Sequence, residues 1–119
     1  MKFFIFSRGD DRESVTAEIA IKGEDGRPFI SENTCHATSH ADAMLRALGP
    51  LLRWLIKRGG THEVFVNDRA AVNLLRLREQ HPSSRIAQIQ VLLKLSAGQI
   101  SVSYGIARDV FGEHAEDLA

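Results

Sequence analysis

The stretch Glu63-Val64-Phe65-Val66-Asn67-Asp68 lies between two long amphipathic runs, and its reading decides the fold class. Val64, Phe65 and Val66 are apolar without alternation, the pattern of a short strand covered on both faces inside a parallel sheet. Asp68 closes it, and in open α/β sheets ligands gather at the carboxyl ends of the strands.

Upstream, Lys2 to Ser7 is apolar and aromatic and is bounded by Arg8-Gly9-Asp10-Asp11, which predicts a short buried strand ending in a turn. From Ser14 to Lys22 the residues Val15, Ala17, Ile19 and Ile21 recur with a period of two, predicting a strand with one wet face. Gly23-Glu24-Asp25-Gly26 supplies a hairpin turn, and Pro28 to Thr34 is expected to return antiparallel as a third strand. Thr38 or Ser39 can cap a helix whose stripe runs through Met44, Leu45, Leu48, Leu52 and Leu55. Gly49-Pro50 interrupts that stripe without changing its phase, so a kink is expected, and Gly59-Gly60 ends the helix.

Downstream, Arg69 to Glu79 reads as a second helix, His81-Pro82-Ser83-Ser84 as a break with a cap, and Arg85 to Ser96 as a third helix. Gln99 to Ile106 alternates as a last strand, and a loop then leads to a short terminal helix from Glu113 to Ala119. The order predicts an α/β fold with a mixed five-stranded sheet, three antiparallel strands first and two parallel additions after, flanked by helices.

At 119 residues the chain suits one domain over 1–119. Lys plus Arg balance Asp plus Glu at 15 each, so no global field draws it to nucleic acid or to an anionic membrane, and any such contact must come from a local patch. Cys35 is the single cysteine, which excludes an intramolecular disulfide and a multi-cysteine zinc site and points to a reducing compartment, with the cytoplasm as the default. Four apolar residues after Lys2 fall far short of a signal-peptide core, and no run is long enough to span a bilayer.

Three acids fall at the ends of different elements: Asp42 opens a helix, Asp68 closes a strand and Glu116 lies near the C-terminus. Carboxylates gathered from distant segments can hold hard cations against a phosphate, so the three suggest a two-metal centre that cleaves phosphodiesters. Each also has a simpler use. Asp42 can stabilise a helix dipole, Asp68 can cap the helix beginning at Arg69, and Glu116 can be a solvated charge. Cys35, His36, His40 and Asp42 crowd one segment, but they precede the helix proper, so a loop is expected there rather than a zinc site.

The order of elements, with acids at those junctions, resembles the ribonuclease H family over residues 2–119. Ala37-Thr38-Ser39-His40-Ala41-Asp42-Ala43-Met44 is similar to the family's Thr-Asn-Asn-Arg-x-Glu-Leu-x stretch, and Val64-Phe65-Val66-Asn67-Asp68 to its strand ending Thr-Asp-Ser. Arg108 followed by Ala115-Glu116-Asp117-Leu118-Ala119 resembles the closing Arg-x-x-Asn-x-x-Ala-Asp-x-Leu-Ala. The departures are as specific. The family's first strand ends Thr-Asp-Gly-Ser where this chain has Ser7-Arg8-Gly9-Asp10, so Arg8 replaces the first catalytic aspartate. Asp42 is one methylene shorter than the family's glutamate and Glu116 one longer than its aspartate. Ile106-Ala107-Arg108 stands where many members carry a histidine loop.

The resemblance implies a ribonuclease H-like endoribonuclease that cleaves the RNA strand of RNA–DNA hybrids with Mg²⁺ or Mn²⁺, carried by Asp42, Asp68 and Glu116. Asp10 joins the metal site only if its strand bulges, because two strand residues span roughly 6.6 Å. Arg8 at the centre would oppose metal binding, bind a phosphate directly, or pair with Asp42 or Asp68. Ser39 and Asn67 are placed to contact sugar hydroxyls or phosphate, and Arg8, Arg69 and Arg108 to contact the nucleic-acid backbone; Arg76, Arg78 and Arg85 cluster near Arg69. The competing reading is a catalytically inactive module of the same fold that binds nucleic acid, an RNA–DNA hybrid or structured RNA, or a protein partner. A third is another metal-dependent nuclease or nucleotidyl transferase on that fold. The assembly expected is a monomer or small homo-oligomer.

Overall fold

The computed structural model describes residues 1–10, 14–31, 35–76 and 82–118, with the backbone alone at positions 10, 14, 35 and 36. Strand β1 (Lys2–Asp10) pairs antiparallel with β2 (Ser14–Lys22), in a register that runs from Phe3 opposite Ile21 to Asp10 opposite Ser14. On its other side β1 runs parallel to β5 (His62–Val66), with Ile5 opposite Val66. Strand β6 (Ile100–Tyr104) continues the parallel half, with Val66 opposite Tyr104.

The outer edge of β2 departs from the expected continuous third strand. It is met by two short segments, β3 (Pro28–Ile30) opposite residues 20–22 and β4 (Cys35–Ala37) opposite residues 15–17. Between the pairs Ala20–Ile30 and Ala17–Cys35 the edge advances by two residues more than β2 does, which breaks the ladder. The sheet order is β3-β2-β1-β5-β6 with β4 beside β3 on β2, so the five strand positions of the expected mixed sheet are present.

Helix α1 (His40–Arg58) is capped by Ser39, whose side chain accepts the Asp42 amide, and Gly59 closes it at φ 78°. The expected kink at Gly49-Pro50 does not divide it. Pro50 sits on the exposed side, so the Arg46 carbonyl that lacks its usual amide partner lies on the solvent side of the helix. Helices α2 (Arg69–Leu75) and α3 (Ser84–Leu95) complete this layer; α2 ends at Leu75 rather than Glu79, and residues 77–81, with Arg78 and His81, lie outside the described part.

Where a loop was expected after β6, the chain forms α4 (Ala107–Phe111) followed by a 3₁₀ helix (Gly112–Leu118). The Asp109 carboxylate accepts the Ile106 amide at 2.6 Å and starts that turn. Its purpose is cover. Phe3 and Ile5 of β1 pack with Leu48, Leu52 and Leu55 of α1, whereas Phe4 and Phe6 face the other way and pack with Val110, Phe111 and Leu118. The Phe4 ring stacks on Phe6 at 5.3 Å and meets the Phe111 ring edge-on at 6.3 Å. Burying each such side chain is worth about 1.5–3 kcal/mol, so a bare second face would be costly.

The link from β6 to α4 passes close to that second cluster. A Cβ built at Gly105 would lie 2.5 Å from Phe65 Cδ1 and 3.0 Å from Asp109 Oδ2. Gly105→Ala is therefore expected to destabilise the protein by about 1–3 kcal/mol, as overpacking does. A urea midpoint equal to that of the wild type would contradict this contact.

Candidate functional site

The expected site residues are spread over several elements: Arg8 on β1, Ser39 and Asp42 at the start of α1, Asn67 and Asp68 just after β5, Arg69 at the start of α2, and Arg108 and Glu116 on the C-terminal segment. Ser7, near the end of β1, points toward α1, and its Oγ lies 2.5 Å from His40 Nδ1. Two residues further on, Asp42 is held by two guanidinium groups. Arg46 Nε donates to Oδ2 at 2.8 Å and Arg85 Nη1, from the start of α3, donates to Oδ1 at 2.7 Å. Burial alone pushes the Asp42 carboxyl up. The Arg46 hydrogen bond and charge, the Arg85 charge and a backbone hydrogen bond at Thr38 outweigh it and hold the group below its ordinary value of 3.8.

Asp68 turns toward its own helix: its Oδ1 accepts the Ala71 amide at 2.9 Å, capping α2. Asn67 is exposed beside it and is tied to β1 by its amide, which donates to the Ile5 carbonyl at 3.2 Å. The Arg69 guanidinium lies 4.2 Å from the centroid of the Tyr104 ring at the end of β6. Ser39 is the α1 cap, and Arg108 and Glu116 are exposed on the C-terminal segment.

Arg8 is not paired with Asp42 or Asp68, as one sequence expectation had it. Strand alternation turns Ser7 toward α1 and Arg8 to the opposite face with Phe4 and Phe6. There its Nε lies 3.0 Å from a Glu18 carboxylate oxygen, its Nη2 donates to the Leu118 carbonyl at 2.6 Å, and its guanidinium rests 5.2 Å from the Phe6 ring centroid. Arg8 thus joins β1, β2 and the C-terminal segment.

A two-metal centre needs several oxygen ligands converging without competing cations. Among the described residues no group of three or more His, Cys, Asp or Glu side chains could hold a metal ion. The Asp10 side chain and those of Cys35 and His36 lie outside the described part, so their expected roles are not addressed by it. As arranged, Asp42 spends both oxygens on arginines and Asp68 spends one on a helix cap, a donor set that does not fit the expected metals.

The partners of Asp42 were only half legible beforehand. Arg46 stands four residues on, a spacing that pairs charges on one helix face, whereas Arg85 is 43 positions away and carries no local signal. Nor does sequence spacing bring Ser7 to His40 or Arg8 to Glu18.

The lowered Asp42 value fixes a sign. Because the folded-state value lies below the unfolded one, the contribution is complete above about pH 4 and is lost as pH falls through the lower folded value. Asp42→Asn is expected to lower neutral-pH stability by about 1 kcal/mol or less, since the pair is partly solvated. In thermal melts its gap from the wild type should narrow in acid, and a gap independent of pH would refute the assignment.

No protein-family model matches the chain, and no curated protein matches it. Its backbone is similar to the N-terminal ribonuclease H domain of a Mycobacterium tuberculosis protein, solved as a fusion with maltose-binding protein. The TM-score is 0.62 at 19% identity, over 97% of this chain and 95% of that one. It is similar also to LC11 ribonuclease H1, isolated from compost by a metagenomic approach, with a TM-score of 0.63 at 17% identity, over 98% of this chain and 91% of that one. The likeness covers nearly the whole of each chain and agrees with the sheet order and the helix layers, so this chain has the ribonuclease H-like fold.

Proposed function

We propose that this chain is a ribonuclease H-like domain that binds nucleic acid, with a site whose metal-binding capacity has been replaced by arginine contacts. The observation that carries the reading is the Asp42 carboxylate with one guanidinium on each oxygen. Displacing both to admit Mg²⁺ would break two charge-assisted hydrogen bonds and bring the cation beside two positive charges, which repel it by several kcal/mol even at an effective dielectric of about 20. Arg8 supports it further, since a guanidinium engaged with Glu18 and Leu118 offers a cation nothing. Exposed Asn67 and Ser39, with Arg69 on Tyr104, remain available to phosphate, sugar or base at the strand ends.

The second reading is the two-metal endoribonuclease, acting on the RNA strand of hybrids through Asp42, Asp68 and Glu116 with Mg²⁺ or Mn²⁺. It draws support from the placement of Asp42 and Asp68 at the helix and strand ends where the fold gathers ligands. A gel-shift and cleavage assay separates the two. The expected result is an RNA–DNA hybrid bound equally in EDTA and in Mg²⁺, and left intact. Hybrid cleavage in Mg²⁺ or Mn²⁺ that disappears in Asp68→Asn would overturn the binding reading in favour of the nuclease.

A further inference from the structure

The balanced total charge hides a separation across the sheet. On one face, α1 and α3 carry Arg46, Arg53, Lys57, Arg58, Arg85 and Lys94 against the single acid Asp42. On the other, α4 and the 3₁₀ helix carry Asp109, Glu113, Glu116 and Asp117 against Arg108. Between α1 and α3 runs an open groove of about 390 Å³ whose polar walls are Arg46, Arg53, Arg85 and Gln88.

The α1 wall is a stripe at helical spacing. Positions 42, 46, 49, 50, 53 and 57 lie on one side, so Asp42 heads a row that continues through Arg46, Arg53 and Lys57. Gly49 and Pro50 fall in the middle and put no long side chain into the groove. Arg46 and Arg53 are seven residues apart, a rise of about 10.5 Å along the helix axis. Arg46 and Arg85 already show the chemistry of the groove by gripping a carboxylate at its upper end. Arg53 is exposed and makes no ion pair among the described residues. A guanidinium fork fits two phosphate oxygens at once, and the groove is far wider than one carboxylate requires.

We propose that the groove between α1 and α3 is a phosphate-backbone track, along which a nucleic-acid strand leaving the strand-end site is held by Arg53 and its neighbours. This rests on the nucleic-acid reading above and extends it to a surface outside the carboxylates. A protein that neutralises a phosphate releases counterions, so each contact adds close to one unit to the slope of log affinity against log salt.

The test measures binding of an RNA–DNA hybrid across a salt series for the wild type, Arg53→Gln, Arg53→Glu and Arg27→Ala, with thermal melts to show that each is folded. Arg27 lies in the β2–β3 turn and serves as the control. The expected result is a slope shallower by about one in Arg53→Gln, a larger loss in Arg53→Glu, and no change in Arg27→Ala. Wild-type slopes in both Arg53 variants would overturn the track while leaving nucleic-acid binding intact. A wild type that fails to bind hybrid even at low salt would overturn both. Arg53-dependent binding of polyglutamate without hybrid binding would assign the groove to an acidic protein and overturn the proposal.

Discussion

Strand β1 is apolar on both sides, and the need to cover both organises the molecule. Phe3 and Ile5 demand one layer and Phe4 and Phe6 another, so neither α1 nor the C-terminal segment can be removed without exposing aromatic surface. Because the two covers come from separate segments, residues 40–58 and 107–118, the strand between them is also where residues remote in sequence become neighbours. Arg8 reaches Leu118, 110 positions away, only because Phe6 has already drawn the C-terminal segment onto that face.

The fold was legible wherever burial leaves a periodic trace. The alternation of Ser14 to Lys22, the stripe through Leu48, Leu52 and Leu55, and the apolar stretch of Glu63 to Asn67 each led to an observed element, the last shifted by one residue to His62–Val66. Two features left no such trace. Helix α4 is five residues long, too short to show a period, and its formation depends on the Phe4 and Phe6 rings against which Val110 and Phe111 pack. The split of the outer strand arises from an offset of two residues against β2, which is a property of pairing rather than of composition.

The site was legible in position and not in contact. Asp42 and Asp68 do stand at a helix start and a strand end, but what their oxygens touch depends on Arg85 and on the first turn of α2. A guanidinium on each oxygen turns an acid that could attract cations into the head of a basic row. The same three groups therefore decide two matters at once. Both oxygens of the acid at the start of α1 are occupied, and the three head the basic row of a chain whose total charge is balanced.

The broken outer strand has a consequence for how the molecule meets its own copies. An uninterrupted edge is a template on which a second chain can add a strand, and exposed Phe29 would favour such growth. Here each segment offers only three residues in register before the ladder shifts. An incoming strand that pairs with one segment arrives out of phase with the other. The irregularity acts as a guard against fibre-like stacking at this margin of the sheet.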